Sequence, residues 1–357
     1  MLTLEDLGWD AYFQQQLNED TDPSLLPARI AEELKGAYRI LSPSGVRPAL
    51  LSGRLRHSAL AREDLPASGD WVLARPLPGE ERAVIERLLR RRTRLSRQQA
   101  GEKTGQQLLA ANIDIVFLVA SLNREFNPRR IERYLTAIWE SGARPVIVLN
   151  KADLSPQPER EQAEAEAIAP GVPVQLASAA SGQGVGALAT HLARGETAVF
   201  AGSSGVGKSS LINRLTGTDS QVIRDIRDSD GRGRHTTTTR QMLVLPGRGV
   251  IIDTPGLREL QLWDAGGGAS RTFADIDELA GDCAFSDCRH EREPGCAVRA
   301  AVAEERLDEA RLRSYHKLER EQQHIARKHD QALNQEEKRK WKRIQKENRQ
   351  RQRVRGR

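Results

Sequence analysis

The chain has 357 residues, enough for two or three domains with cores of their own. Charged residues make up 29% and aromatics 4%. The start "MLTLEDLGWD" lacks the basic residues and apolar run of a secretory signal, and no apolar stretch approaches the ~18 residues of a membrane span, so neither export nor a membrane span is expected and the cytoplasm is. The formal net charge of +6 is concentrated: 336–357 hold eleven Lys/Arg and three Glu, or +8, which leaves about −2 elsewhere and points to a polyanion such as RNA as the tail's partner.

Residues 1–35 read as a helical or mobile lead-in. From 36 to 105, "ALLSGRLRH", "DWVLARPL" and "AVIERLL" read as short strands between turn signals, a pattern that fits a small OB-type β-barrel. Six arginines between Arg87 and Arg97 suggest a basic groove on that barrel. Stacking aromatics are few, with Trp71 the main one, so backbone contact to nucleic acid is expected over base reading. From 106 to 270 apolar runs alternate with helical stretches: "IDIVFLVA", "RPVIVLN", "VPVQLAS", "TAVFAG", "QMLVLP" and "GVIID". That alternation predicts a mostly parallel sheet with helices on both faces. "NPRRIERYLTAIWESG" predicts a helix capped by Asn127, with Pro128 in its first turn. Residues 271–357 hold a cysteine cluster and then a helical, basic tail.

"GSSGVGKS" fits G-x-x-x-x-G-K-[ST] in full. Gly202, Ser203, Ser204, Gly205, Val206 and Gly207 would turn their backbone N–H groups toward phosphates, Lys208 would add charge, and Ser209, beside Ser210, would ligate Mg²⁺. "NKAD" supplies Asn150, Lys151 and Asp153 at a strand end. The Asp153 carboxylate can accept from both the ring N–H and the amine of guanine, a donor pair that adenine lacks, so GTP is expected over ATP. In "LASAASG", Ser178 and Ala179 would bring a backbone N–H near the guanine oxygen. "GVIIDTPG" places Asp253 near Mg²⁺ through water and Gly256 near the γ-phosphate. "GRGRHTTTTR" is a switch candidate, with Thr237, or else Thr236, completing the Mg²⁺ shell.

Cys283, Cys288, His290 and Cys296 make a Cys₃His set, which fits one structural zinc with no open position. With three cysteines clustered so closely, metal binding is expected rather than disulfides.

The base motifs precede the phosphate loop, an order that reverses the usual GTPase and implies circular permutation. With "LGW", "GDWV", NKAD, GSSGVGKSS, GRHTT, DTPG and the cysteine cluster, the sequence resembles the ribosome small-subunit-dependent GTPase A family over nearly its whole length. The resemblance implies an N-terminal OB barrel, a circularly permuted P-loop GTPase and a C-terminal helical zinc domain. It also implies action late in maturation of the 30S subunit, contact with 16S rRNA and GTP hydrolysis stimulated by the small subunit. Leu257 stands where many GTPases carry a water-orienting Gln. His235 is the internal candidate for that catalytic role, and the resemblance points the same way; a ribosomal group is the other. A nucleotide-gated RNA-binding module in which hydrolysis is secondary is the competing reading. A monomer is the default.

Overall fold

A computed structural model describes residues 2–19, 21–59, 61–98, 106–123, 126–217, 241–245, 247–253 and 268–327. Two compact units emerge, one of 1–97 with 106–261 and one of 98–105 with 262–357.

The first unit begins with a closed barrel of β1 (Leu26–Leu34), β2 (Ala37–Ser42), β3 (Gly45–Leu51), β4 (Trp71–Pro76) and β5 (Ala83–Leu88), ordered β1-β2-β3-β5-β4. Its interior is lined by Ile30, Tyr38, Ile40, Val72 and Ile85. β1 lies ahead of residue 36, where the sequence reading starts the barrel, and it pairs with both β2 and β4. "ALLSGRLRH" divides: its first residues end β3, while Gly53–Ser58 form a helix whose N-cap Ser52 accepts from the Leu55 N–H.

Trp71 is fully buried. Trp9 of the lead-in meets it edge to face at 4.9 Å and Phe13 packs at 5.8 Å. Trp71 therefore holds the lead-in to the barrel and offers no face to a nucleic-acid base, which corrects its place as the main stacking aromatic.

β6 (Arg94–Gln98) and β7 (Gln106–Ala111) form a two-stranded ribbon. Next comes a six-stranded sheet of β8 (Ile115–Ser121), β9 (Arg144–Asn150), β10 (Val174–Leu176), β11 (Thr197–Ala201), β12 (Gln241–Val244) and β13 (Val250–Asp253). Its order is β10-β9-β8-β11-β13-β12, parallel except for β12. β8, β9, β11 and β13 are buried on successive residues, as strands covered on both faces are. β11, the strand before the phosphate loop, sits inside the sheet between β8 and β13, so the base motifs lie to one side of it although they come earlier in the chain. The Pro128–Glu140 helix starts as expected, its N-cap Asn127 accepting from the N–H groups of Arg129 and Arg130.

Barrel and sheet are locked at one junction. Arg29 is buried and donates to the carbonyls of Leu7, Gly69 and Asn112, joining lead-in, barrel and sheet entry. Burial lowers its pKa to about 10, so it stays charged at neutral pH. The lead-in also reaches the segment that feeds β11. Asp6 pairs with Arg194 at 2.6 Å, and a Cβ on Gly8 would stand 2.5 Å from the Gly195 carbonyl oxygen. Asp114 accepts from the Thr197 N–H at 2.8 Å and fixes the first residue of β11.

In the second unit, helices Gly268–Thr272, Ala274–Ala280 and Ala297–Ala303 surround the cysteine cluster, and a further helix covers 309–327. Arg311, buried, binds Asp275 through two bonds of 2.7 Å and the Thr272 carbonyl at 2.9 Å, with its guanidinium 4.9 Å from the Phe273 ring centre.

Candidate nucleotide site and metal cluster

The loop from Gly202 to Ser209 leaves β11 and enters the Lys208–Thr216 helix. Gly202 and Gly207 have φ of +136° and +96°. A Cβ on Gly202 would lie 2.2 Å from the Val119 carbonyl oxygen, and one on Gly207 would lie 2.3 Å from Asn150 Nδ2. The N–H groups of Ser204, Gly205, Val206 and Gly207 have no hydrogen-bond partner among the described residues. Such a run of unmet donors at a helix start is suited to an anion. Lys208 Nζ donates to the Gly202 and Ser203 carbonyls at 2.6 and 2.7 Å, which holds its charge beside the loop. Ser209 and Ser210 are exposed in the first turn of the helix.

Asn150, buried at the end of β9, joins the base motifs to this loop. Its Nδ2 donates to the Val206 carbonyl at 2.7 Å and its Oδ1 accepts from the Ala179 N–H at 3.0 Å. Lys151 follows in left-handed backbone geometry (φ +64°), and Asp153 is exposed on the short helical turn beyond it. The two N–H groups named for the guanine oxygen are already engaged. Ser178 donates to the Gln183 carbonyl at 2.8 Å and Ala179 to Asn150. The next one, on Ala180, has no partner among the described residues. Asp253 ends β13. His235, Thr236, Thr237, Gly256 and Leu257 lie outside the described residues.

Comparison with known proteins agrees with this geometry. Residues 88–263 match the family model described as RsgA GTPase, and 197–340 match that of the 50S ribosome-binding GTPase. The chain is 46% identical over 100% of both lengths to the small ribosomal subunit biogenesis GTPase RsgA of Opitutus terrae. It is 43% identical to the protein of that name from Streptomyces coelicolor, over 95% of this chain and 92% of that one. The chain belongs to the RsgA GTPase family. Among solved structures, YjeQ from Thermotoga maritima matches with a TM-score of 0.61 and 28% identity, over 84% of this chain and 98% of that one. YloQ, a circularly permuted GTPase, has the same fold, with a TM-score of 0.61 and 22% identity over 86% and 98%. As a member of the RsgA family the chain is a GTP hydrolase with a barrel, a permuted P-loop GTPase domain and a Cys₃His helical region.

In that region the ligand atoms of Cys283, Cys288, His290 and Cys296 lie within 4.8 Å of one another. Metal–sulfur and metal–imidazole bonds of about 2.3 and about 2.0 Å put tetrahedral donors roughly 3.5–3.8 Å apart. Cys283 Sγ stands 3.6 Å from His290 Nδ1 and 3.9 Å from Cys296 Sγ, while Cys296 Sγ to His290 Nδ1 is 3.5 Å, so these three sit near tetrahedral ligand spacing and Cys288, within 4.8 Å of each, supplies the fourth donor of a set that fits a closed ion site. Glu293 shapes the loop between ligands by accepting the N–H groups of Arg289, Glu291 and Arg292. A Cβ on Gly295 would crowd Ala284 at 2.9 Å, which explains the small residue before the last cysteine.

The barrel's arginines divide differently from the sequence reading. Arg87 donates to the Gln16 carbonyl, Arg91 binds Asp70 and two carbonyls, and Arg92 pairs with Asp10 and Asp114. These three support the lead-in and the junction. By contrast, 34–62 contain no Asp or Glu, and the side chains of Arg47, Arg54 and Arg56 there have no hydrogen bond or ion pair among the described residues. Arg54 and Arg56 are exposed on the Gly53–Ser58 helix. Among the described residues, no helix is long and apolar enough to cross a membrane.

Proposed function

We propose that this GTPase acts in the cytoplasm, as a monomer, in late maturation of the small (30S) ribosomal subunit, with 16S rRNA as its binding surface and the subunit as its activator. The observation that carries the reading is identity of 46% over the full length with a protein named for small ribosomal subunit biogenesis. The unpaired Arg47, Arg54 and Arg56 support it, because phosphate contact needs cations not already neutralised.

GTP with Mg²⁺ is the substrate. Asp153 accepts the guanine ring N–H and amine, the Lys151 stem covers the base, and Asn150 ties the base loop to the phosphate loop. The free N–H groups of 204–207 and Lys208 would hold the phosphates; Ser209 and Thr237 would hold the Mg²⁺, with Asp253 reaching it through water, the ion would neutralise charge developing on the phosphates, and the Gly256 N–H would serve the γ-phosphate. Water attacks in line: its oxygen bonds the γ-phosphorus as the bond to the β–γ bridging oxygen breaks, and the water proton leaves to solvent or phosphate. His235 orients that water. Zinc at Cys283, Cys288, His290 and Cys296 is structural, since the chain itself fills all four positions.

The test is GTP turnover with neither subunit, with small subunits and with large subunits, for the wild type and His235→Ala. Stimulation by the small subunit alone, lost in His235→Ala with nucleotide affinity retained, is the expected result. No response to small subunits would end the ribosomal reading. Wild-type turnover by His235→Ala would remove that residue's role alone.

A further inference from the structure

Arg214 belongs to none of the nucleotide motifs. It sits in the last turn of the Lys208–Thr216 helix and reaches back to the loop that carries the second base motif. Its Nε donates to the Ala179 carbonyl at 3.3 Å and its Nη2 to the Ala180 carbonyl at 2.7 Å. The guanidinium lies against Gly182, where a Cβ would stand 3.5 Å from its central carbon.

A peptide group is planar and trans, so its C=O and N–H point in opposite directions. The Ala179 carbonyl and the Ala180 N–H belong to one such group. By gripping that carbonyl, Arg214 fixes where the Ala180 N–H points, and that N–H is the one in 178–182 with no partner among the described residues. The neighbouring donors are closed off. Ala179 N–H goes to Asn150 Oδ1 at 3.0 Å and Ser181 N–H to Ser178 Oγ at 3.1 Å.

We propose that Arg214 is a positioning residue for base recognition, which clamps the Ala179–Ala180 peptide so that the Ala180 N–H, and not that of Ser178 or Ala179, is presented to the guanine oxygen. The inference rests on the reading of 178–182 as a guanine motif. It gives the helix that starts under the phosphates a second task at its far end. Phosphate grip and base grip become one body, joined by Asn150 on one side of the loop and by Arg214 on the other.

The experiment measures binding of GDP, ADP and 6-thioguanosine diphosphate to the full chain, as wild type, Arg214→Met and Arg214→Lys. The thio analogue keeps the ring N–H and the amine but replaces the oxygen by sulfur, a poorer acceptor. Arg214→Met is expected to weaken GDP about tenfold and the thio analogue by less than about twofold, with an unchanged melting temperature for the nucleotide-free protein. Arg214→Lys, with one flexible ammonium in place of a two-pronged donor, recovers part of the GDP affinity. Equal losses for both ligands would show a general loosening of the site, and unchanged GDP binding would show an idle contact; either overturns the proposal. A wild type that binds GDP no better than ADP removes the guanine reading beneath it as well, which separates the two failures.

Discussion

Asn150 works with both ends of one amide. Its donor end holds the phosphate loop at Val206, its acceptor end holds the base loop at Ala179, and the lack of a side chain at Gly207 makes room for it. Asn150→Ala removes both bonds from a buried position, at roughly 1–3 kcal/mol for each group left unsatisfied. Calorimetry is expected to show GDP and GTP affinity falling by more than about tenfold, with the apo fold retained because β9 remains paired on both sides. At this scale the sequence was highly legible. Fixed spacings single out Lys208, Asn150 and Asp153, and the structure sets Asn150 and Lys208 against the Gly202–Ser209 loop. Ala180 and Arg214 were not legible. Which N–H is free, and which arginine grips a loop 34 residues earlier, depends on contacts that spacing does not encode.

Among the elements, the strands of the sheet follow from their apolar runs, whereas β1 does not. "LPARIAEEL" is rich in Ala and Glu and carries a charged residue that points inward, Arg29; pairing with β2 and β4 overrides its weak strand propensity. Arg29→Met would leave the carbonyls of Leu7, Gly69 and Asn112 without their donor. A loss of about 3 kcal/mol or more is expected, read as a lower urea midpoint for the unit that holds barrel and sheet. The cysteine region would lean on a metal held by its four ligand residues in a comparable way. It has few large apolar side chains, with Phe273, Ile276, Val298 and Leu312 among those buried. Removing the ion with a strong chelator is expected to lower helical circular dichroism and expose the three thiols to alkylation. Mant-GDP binding by the other unit should persist. Loss of nucleotide binding together with the helix signal would contradict a purely structural metal.

For the whole molecule, the surface proposed to meet RNA is the set of barrel cations left unpaired, Arg47, Arg54 and Arg56. Total charge did not reveal them: Arg91 and Arg54 look alike in composition, but one is tied to Asp70 and the other faces solvent. Replacing Arg54 and Arg56 together by Ala is expected to weaken small-subunit binding and to reduce the slope of log affinity against log salt by about 1.4–1.8, with basal GTP turnover unchanged. An unaltered slope would place the phosphate contacts elsewhere. The permutation has its own outcome, seen where Gly8 touches Gly195. A GTPase that began at its phosphate-binding strand would carry a loose end there. This chain stitches that end from behind, so trimming its first dozen residues would slacken the nucleotide's cradle from the far end of the strand that leads into it.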